Sequence, residues 1–228
     1  MEKYTQAELA KFIDHTNLSD VASKADIEKL CNEAKEYGFK SVCVNPFYVN
    51  DCKRLLVGTD VLVCTVIGFP LGMNTIENKV FETLDAVKNG ADEIDMVINI
   101  AKLKARDESY CLKEINAVKS ACHHRILKVI VETSQLTQED KVFACELIAK
   151  SDANFIKTST GFVGAGAQLE DVQMWHEILG NKKEIKAAGG VRTYADLLKF
   201  IEAGATRIGS SKGISLITNE ADKTNSGY

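Results

Sequence analysis

The amino-acid sequence predicts an α/β protein with one domain, a (β/α)8 TIM barrel. The chain has 228 residues, enough for one well-packed α/β domain and too few for two ordinary domains joined by a linker. Eight short apolar runs alternate with longer amphipathic segments, which is the pattern of repeated β/α units. No Gly-x-Gly-x-x-Gly motif opens the first helix, so the doubly wound open sheet is the second choice. The nearest match, Gly161–Gly166, has a different order and follows the sixth predicted strand.

The predicted strands follow one another along the whole chain. They are Lys11–Thr16, Ser41–Asn45, Val61–Phe69, Glu93–Asn99, Ile126–Thr133, Phe155–Thr160, Ile185–Gly190 and Arg207–Ser211. The segments between them have the apolar spacing of helices. Capping preferences predict helix starts at Asp26, Asn74, Thr137 and Thr193, and helix ends at Gly38, Gly90 and Gly204. The barrel is predicted to occupy residues 1–219, and residues 220–228 have the composition of a mobile tail.

Composition argues against several classes of binding partner and against a secreted or membrane-spanning protein. A net charge of −4 gives no electrostatic reason to expect nucleic acid or an anionic membrane. The seven cysteines form no CxxC pair, and Cys31, Cys43, Cys64 and Cys145 lie in apolar periodic segments, as reduced core thiols do. The chain shows neither the apolar stretch of a signal peptide nor a membrane span. We therefore expect a cytoplasmic protein that binds a small molecule.

Strand parity predicts which polar side chains point into the barrel. In the fourth strand Ile94, Met96 and Ile98 share one face, so Asp95, Val97 and Asn99 point inward. The same alternation turns Asp14, Cys43, Lys157 and Lys186 inward, and also Lys128, which lies early in its strand. Buried charges are costly unless they are paired. A structural ion-pair network is one interpretation of this set, and we assign Lys128 to it.

The second interpretation is catalytic. Lys157 and Lys186 lie on adjacent predicted strands, and a neighbouring cation in a desolvated site lowers the pKa of an amine. A neutral amine attacks a carbonyl to form a Schiff base, which serves as an electron sink for breaking a C–C bond. An inward carboxylate such as Asp95 can move the proton of the reacting hydroxyl. Periodicity does not decide which lysine is the nucleophile.

Glycines are dense where the last three strands end. Gly161, Gly164 and Gly166 follow strand six, Gly189 and Gly190 follow strand seven, and Gly209-Ser210-Ser211 closes strand eight. This end of the fold is its usual phosphate site, and the segment Gly213–Thr218 is predicted to begin a helix there. A single such glycine indicates a tight turn, but the three groups with their serines favour phosphate. Arg192 fits either a phosphate contact or a solvated surface position.

Histidine spacing gives no indication of a metal. The four histidines are His15, His123, His124 and His176, and they form neither an HxH nor an HExxH motif. His15 alternates with Asp14, so it is predicted to face the helices. We predict no metal site and no cofactor.

Several segments that follow one another along nearly the whole chain carry a family resemblance. They are FIDHTNL, SVCVNP, VIGFPLG, ADEIDMVIN, FIKTSTGF, KAAGGVRT and RIGSS. They closely resemble the deoxyribose-phosphate aldolase family, and FIKTSTG together with KAAGGVRT is highly specific to it. The resemblance implies a cofactor-free class I aldolase of deoxyribose catabolism. Such an enzyme reversibly cleaves 2-deoxy-D-ribose 5-phosphate to D-glyceraldehyde 3-phosphate and acetaldehyde.

The resemblance also implies roles for individual residues. Lys157 would form the Schiff base, Lys186 would perturb it, and Asp95 would transfer protons. The implied substrate contacts are Asp14, Cys43, Thr158, Gly161, Gly189, Gly190, Ser210, Ser211 and the C-terminal Tyr228. Lys212 departs from the pattern, because a smaller residue is expected there; it either alters the phosphate pocket or faces solvent.

Two rival functions and one question of assembly stay open. Another Schiff-base barrel enzyme, such as a related aldolase or a transaldolase-like protein, would share the lysine pair. A phosphosugar-sensing barrel without catalysis would not need both lysines and Asp95. The sequence is compatible with a homo-oligomer but does not locate an interface.

Overall fold

The barrel closes as the sequence predicts. A computed structural model describes residues 4–218, and its eight parallel strands pair in chain order, with β1 bonded to both β2 and β8. The strands are β1 Ile13–Asn17, β2 Ser41–Val44, β3 Leu62–Ile67, β4 Glu93–Val97, β5 Ile126–Ile130, β6 Phe155–Lys157, β7 Glu184–Ala188 and β8 Arg207–Ser210. The helices are α1 Gln6–Ala10, α2 Lys24–Tyr37, α3 Val49–Leu55, α4 Ile76–Asn89, α5 Ile100–Lys104, α6 Glu108–Ala121, α7 Gln138–Lys150, α8 Leu169–Leu179, α9 Tyr194–Glu202 and α10 Gly213–Thr218.

Seven of the eight predicted strands run too far at their C-terminal ends, and the first stops one residue short of Asn17, where β1 ends. The sixth was predicted to reach Thr160, but β6 ends at Lys157, and the fourth was predicted to reach Asn99, which instead caps α5. Apolar runs continue past the last ladder bond because the first loop residues at this end are still buried. At the other end, Lys11 is not in a strand, since it caps the unpredicted helix α1.

Two of the four predicted helix starts are confirmed. Thr137 and Thr193 are the N-caps of α7 and α9. The predicted helix start at Asp26 is wrong, because Ser23 is the N-cap of α2. Asp26 is the third helical residue, and its carboxylate completes a capping box. The predicted helix start at Asn74 is wrong by one position, since its neighbour Thr75 is the N-cap of α4.

The predicted helix ends are close to the observed ones. Gly38 and Gly90 are the C-caps of α2 and α4, with left-handed φ angles of 68° and 107°. Gly204 lies one residue beyond Ala203, the C-cap of α9, and also has a positive φ, 110°. Glycine is favoured at such positions because it has no Cβ to strain the backbone.

The main core lies between the barrel and its ring of helices. The apolar face of α2 shows the principle, because Ile27, Leu30, Cys31 and Ala34 are all buried, as their spacing predicts. All seven cysteines are buried, and none of them is in a disulfide. Within residues 4–218, no helix combines the length and apolarity needed to cross a membrane.

Candidate active site

Charged side chains fill the barrel interior. The described residues place four basic side chains there together with three carboxylates; they are Lys128, Lys157, Lys186, Arg207, Asp14, Glu93 and Asp95. With every group ionised, this set carries one surplus positive charge. Losing a single proton from one of the amines would balance it.

Asp95 is the centre of the network. Its Oδ2 accepts from Lys157 Nζ and from Lys186 Nζ, each at 2.7 Å, while its Oδ1 accepts from Lys128 Nζ at 2.9 Å. Burial alone raises the pKa of Asp95, but the three lysines outweigh it and hold the pKa well below its usual range. Asp95 is therefore a carboxylate at neutral pH that links both predicted catalytic lysines.

The two lysines are level with each other but differ in their surroundings. Lys157 of β6 is the register partner of Lys186 of β7. Lys186 also donates to Asp14 Oδ2 at 2.5 Å. Burial alone lowers the pKa of Lys186, but Asp14 and Asp95 outweigh it and raise the pKa above its usual value. Lys186 is thus a permanent cation beside Lys157.

Asp14 lies beneath the site and supports Lys186. Its other oxygen accepts from Ser41 Oγ at 2.6 Å and from Arg207 at 2.8 Å. Burial opposes ionisation, but Arg207 and Lys186 lower the pKa of Asp14 overall. Asp14 is fully buried, and its predicted contact with substrate stays a prediction.

Lys128 has the structural surroundings that its position predicts. It donates to Glu93 at 2.6 Å as well as to Asp95, and Glu93 also binds Arg207 at 2.7 Å. Sequence reasoning missed Glu93 and Arg207. The signal was available, because Glu93 shares the inward parity of Asp95 and Arg207 shares that of Gly209.

A cavity of about 780 Å³ opens at the C-terminal end of the strands. Its lining combines the C-terminal ends of β1, β6, β7 and β8 with the loops that follow them: Thr16, Leu18, Lys157, Thr160, Gly161, Phe162, Gly164, Ala165, Gly166, Ala188, Gly189, Gly190, Val191, Arg192, Gly209, Ser210, Ser211 and Lys212. Among these described residues three are basic and none is acidic, so the cavity favours an anion. Of the four basic residues inside the barrel, Lys157 alone lines it.

The glycines of this cavity serve both packing and binding. A Cβ on Gly166 would lie 2.2 Å from the carbonyl carbon of Gly189, so the loops after β6 and β7 can touch only without side chains here. Gly189 and Gly190 have φ angles of 72° and 79°. Within residues 4–218 their N–H groups donate to no protein acceptor, which leaves them available to an anion.

The other predicted contacts fall into two groups. Gly161, Ser210 and Ser211 line the cavity, with Ser210 Oγ also accepting from the N–H of Lys212. Thr158 and Cys43 are buried, and the Thr158 hydroxyl donates to the carbonyl of Ala188 at 3.2 Å. Tyr228 lies outside the described residues, so its role stays a prediction.

Glu132 is a buried residue of the site that sequence reasoning missed. It follows β5 with φ 55°, and its Oε2 accepts from the Thr160 hydroxyl at 2.5 Å and from the Thr160 N–H at 3.1 Å. Glu132 therefore fixes the loop that leads from Lys157 into the cavity. The signal was its parity with Lys128 in the same apolar run.

The described residues bring potential metal donors together in two overlapping groups. One is Cys43, Cys64 and Asp95, and the other is Asp14, Cys64 and Glu93. Their carboxylates already accept from lysine or arginine, which makes both groups poor hosts for a divalent cation. His15 is in neither group; as predicted it faces the helices, with Nε2 2.7 Å from Glu33 of α2.

Comparison with known proteins gives consistent matches over nearly the full chain. Residues 9–219 match the DeoC/LacD family of aldolases. The deoxyribose-phosphate aldolase of Malacoplasma penetrans is 58% identical over 94% of this chain and 97% of its own length. A solved structure of a candidate deoxyribose-phosphate aldolase from Coccidioides immitis has a TM-score of 0.91 at 42% identity, covering 95% of this chain and 86% of that one. The tetrameric deoxyribose-phosphate aldolase of Aeropyrum pernix has a TM-score of 0.84 at 28% identity, covering 93% and 91%.

Proposed function

The chain belongs to the DeoC/LacD family of aldolases, and on this premise we propose that it reversibly cleaves 2-deoxy-D-ribose 5-phosphate to D-glyceraldehyde 3-phosphate and acetaldehyde. The names of the relatives described above indicate this substrate, and the residues that line the cavity support the same choice independently. A phosphosugar needs an anion site at one end and a carbonyl-reactive group at the other. Both ends are present at the same barrel mouth.

The loops after β7 and β8 are the phosphate end in this proposal. The free N–H groups of Gly189 and Gly190 and the hydroxyls of Ser210 and Ser211 supply short-range donors. Lys212 and Arg192 supply positive charge on the same wall. Donors and cations that converge without a carboxylate suit a phosphate dianion.

Lys157 is the nucleophile in this proposal, and one observation carries the assignment. Among the described basic residues inside the barrel, it alone contacts both the Asp95 carboxylate and the cavity. Lys186 is held by two carboxylates and Lys128 by three, and neither lysine lines the cavity. Lys157 Nζ is thus the amine of the interior that can reach a carbonyl compound bound in the cavity.

The reaction then follows from the iminium. Lys157 Nζ attacks the C1 aldehyde of the open-chain sugar, and loss of water from the carbinolamine gives the protonated imine. The C2–C3 electron pair moves into this iminium as the C3 hydroxyl loses its proton, so C3 leaves as the aldehyde of glyceraldehyde 3-phosphate. The remaining enamine takes a proton at C2, and water releases acetaldehyde and restores the amine.

Asp95 and Lys186 handle the protons in this scheme. Asp95 Oδ2 lies between the two amines, so it sits where the C3 hydroxyl proton and the water of dehydration must pass. Lys186 keeps its charge and repels a second charge on Lys157. Asp14 holds Lys186 from below, and a contact of Asp14, Cys43 or Thr158 with substrate is part of the proposal.

The wider setting is also proposed. We place the enzyme in the cytoplasm, in deoxyribose breakdown, without a cofactor because the iminium is itself the electron sink. The tetrameric relative supports a homo-oligomer. The C-terminal tail, residues 220–228, would bring Tyr228 to the enamine; these residues lie outside the described part.

A direct assay tests the substrate. Purified protein is given 2-deoxy-D-ribose 5-phosphate or unphosphorylated 2-deoxy-D-ribose, and acetaldehyde and glyceraldehyde 3-phosphate are quantified separately. We expect equimolar products, strong preference for the phosphorylated sugar, and no activity in Lys157→Met. The control is Lys183→Met, which removes a lysine that donates to the carbonyls of Ser151 and Ala153 away from the cavity. Activity retained by Lys157→Met, or faster cleavage of another phosphorylated carbonyl compound, would overturn the proposal.

A further inference from the structure

Two cysteines face each other inside the barrel next to Asp95. Cys43 of β2 and Cys64 of β3 are register partners on adjacent parallel strands, and both are buried. Cys64 Sγ donates to Asp95 Oδ1 at 3.1 Å. Both sulfur atoms and a carboxylate oxygen of Asp95 lie within 4.8 Å of one another. The proposed mechanism uses neither thiol chemically.

The geometry suits a disulfide. Paired strands lie about 4.8 Å apart, which falls inside the Cα separation of about 4.4–6.8 Å that disulfides span. Side chains on the inner face of a barrel also converge, so the two Cβ atoms approach each other. The sulfur atoms, already within 4.8 Å of each other, have to approach to about 2.0 Å for the bond to form.

The two thiols differ in acidity. The contact with Cys64 lowers the pKa of the Cys43 thiol, although burial opposes this, and the charge of Lys186 lowers it further. Burial raises the pKa of Cys64 well above its usual value. Cys43 is therefore the thiol that ionises first and reacts with an oxidant, and Cys64 is the resolving thiol.

Cys43 lies directly behind the cavity wall. Leu18 packs against Cys43 and also lines the cavity. Thr16, the register partner of Cys43 on β1, lines the cavity as well. Cys43 itself is buried, so a peroxide reaches its sulfur from the cavity only when these wall residues move.

We propose that Cys43 and Cys64 form a reversible disulfide with hydrogen peroxide and that this bond turns the site off. The Cys43 thiolate attacks one peroxide oxygen, the O–O bond breaks, and hydroxide leaves with a proton as water. Cys64 sulfur then attacks the sulfenic acid of Cys43, and its hydroxyl leaves with the Cys64 proton as a second water. The two thiols lose two electrons and the peroxide gains them.

The bond alters the site through Asp95. Once Cys64 is in a disulfide, it has no S–H to donate to Asp95 Oδ1, and its contact with Lys128 Nζ at 3.4 Å is disturbed. Losing one hydrogen bond to a charged group that acts in the reaction lowers turnover about tenfold. The change is fully reversed when a dithiol reduces the bond.

A second cysteine pair provides a matched control. Cys31 of α2 and Cys52 of α3 are also buried and hydrogen-bonded to each other. They lie in the helix layer rather than inside the barrel. Cys31→Ala removes this pair and leaves the barrel pair intact.

The test combines a peptide map with activity. Reduced protein is treated with hydrogen peroxide, remaining thiols are blocked with N-ethylmaleimide, and the protein is digested with trypsin and Asp-N without reduction. Cleavage before Asp51 separates Cys43 from Cys52, and cleavage after Arg54 separates both from Cys64. Deoxyribose-phosphate cleavage is measured before oxidation, after it and after dithiothreitol, in wild type, Cys31→Ala, Cys64→Ala and Cys64→Ser.

We expect a Cys43–Cys64 cross-linked peptide in wild type and Cys31→Ala, with an activity loss of about tenfold that dithiothreitol reverses. Each Cys64 variant, compared with its own untreated rate, loses the cross-link and the reversible inhibition. A map that shows only Cys31–Cys52, or no cross-link, overturns the proposal, as does a Cys43–Cys64 bond without loss of activity. The peptide map detects the Cys43–Cys64 bond directly. Its result therefore stays valid even if the proposed substrate is wrong or a Cys64 variant does not fold.

Discussion

Replacing Lys186 with leucine tests whether its charge keeps Lys157 reactive. The Nζ atoms of Lys157 and Lys186 each lie 2.7 Å from the same oxygen, Asp95 Oδ2, so they are close neighbours. Two unit charges about 5 Å apart repel each other by about 3 kcal/mol at an effective dielectric constant of about 20. That energy corresponds to about two pH units.

The variant therefore loses this repulsion between the two amines. We expect the acidic limb of the kcat/KM pH profile to move to higher pH by about two units. Turnover at neutral pH falls about a hundredfold, and alkaline pH restores part of it. The assay is deoxyribose 5-phosphate cleavage across the pH range for wild type, Lys186→Leu and the control Lys183→Leu.

Stability must be measured alongside, because Lys186 also binds Asp14. In the variant Asp14 keeps Arg207 and Ser41, and Asp95 keeps Lys157 and Lys128. We expect unfolding in urea to cost about 3 kcal/mol less than in wild type. The electrostatic role of Lys186 would be refuted by a folded variant whose kcat/KM pH profile matches that of wild type. A variant that loses activity by the same factor at every pH would refute it too.

The remaining predictions concern the loops and the carboxylates. Glu132→Ala leaves the Thr160 N–H and hydroxyl without their acceptor, so the free energy of unfolding in urea falls by about 2 kcal/mol; an unchanged midpoint would contradict this. Lys212→Ser raises KM for deoxyribose 5-phosphate about tenfold and leaves kcat/KM for unphosphorylated deoxyribose unchanged. Equal effects on both sugars would remove Lys212 from the phosphate end. Ion pairing holds the pKa of Asp14 and Asp95 below its usual value, so their contribution to stability is complete above the unfolded-state pKa of about 3.9 and is lost as the pH falls toward the folded-state pKa. Urea midpoints measured from pH 7 to pH 3 should drop below about pH 4, and the drop should be smaller in Asp14→Asn.

Strand parity predicted the inward set because it depends only on the local backbone. A polar residue between two apolar neighbours, as Asp95 lies between Ile94 and Met96, points into the barrel wherever the strand sits. Glu93 and Arg207 were missed because each begins its strand, where only one apolar neighbour marks the face.

The partners of each residue could not be predicted in the same way. They depend on how eight strands align across the closed barrel. The register sets Lys157 beside Lys186 and Cys43 beside Cys64, and no local pattern encodes either pairing. The choice of Lys157 over Lys186 likewise needed the cavity, which is built from loops that are far apart in sequence.

Trapping the imine tests the central proposal most directly. The protein is incubated with acetaldehyde, reduced with sodium borohydride and digested with trypsin. An N-ethyl group on Lys157 blocks cleavage there, so residues 151–182 appear as one modified peptide. We predict this peptide in wild type and its absence in Lys157→Met. A reduced adduct on Lys186 alone, or no adduct on any lysine, would contradict the proposed Schiff base.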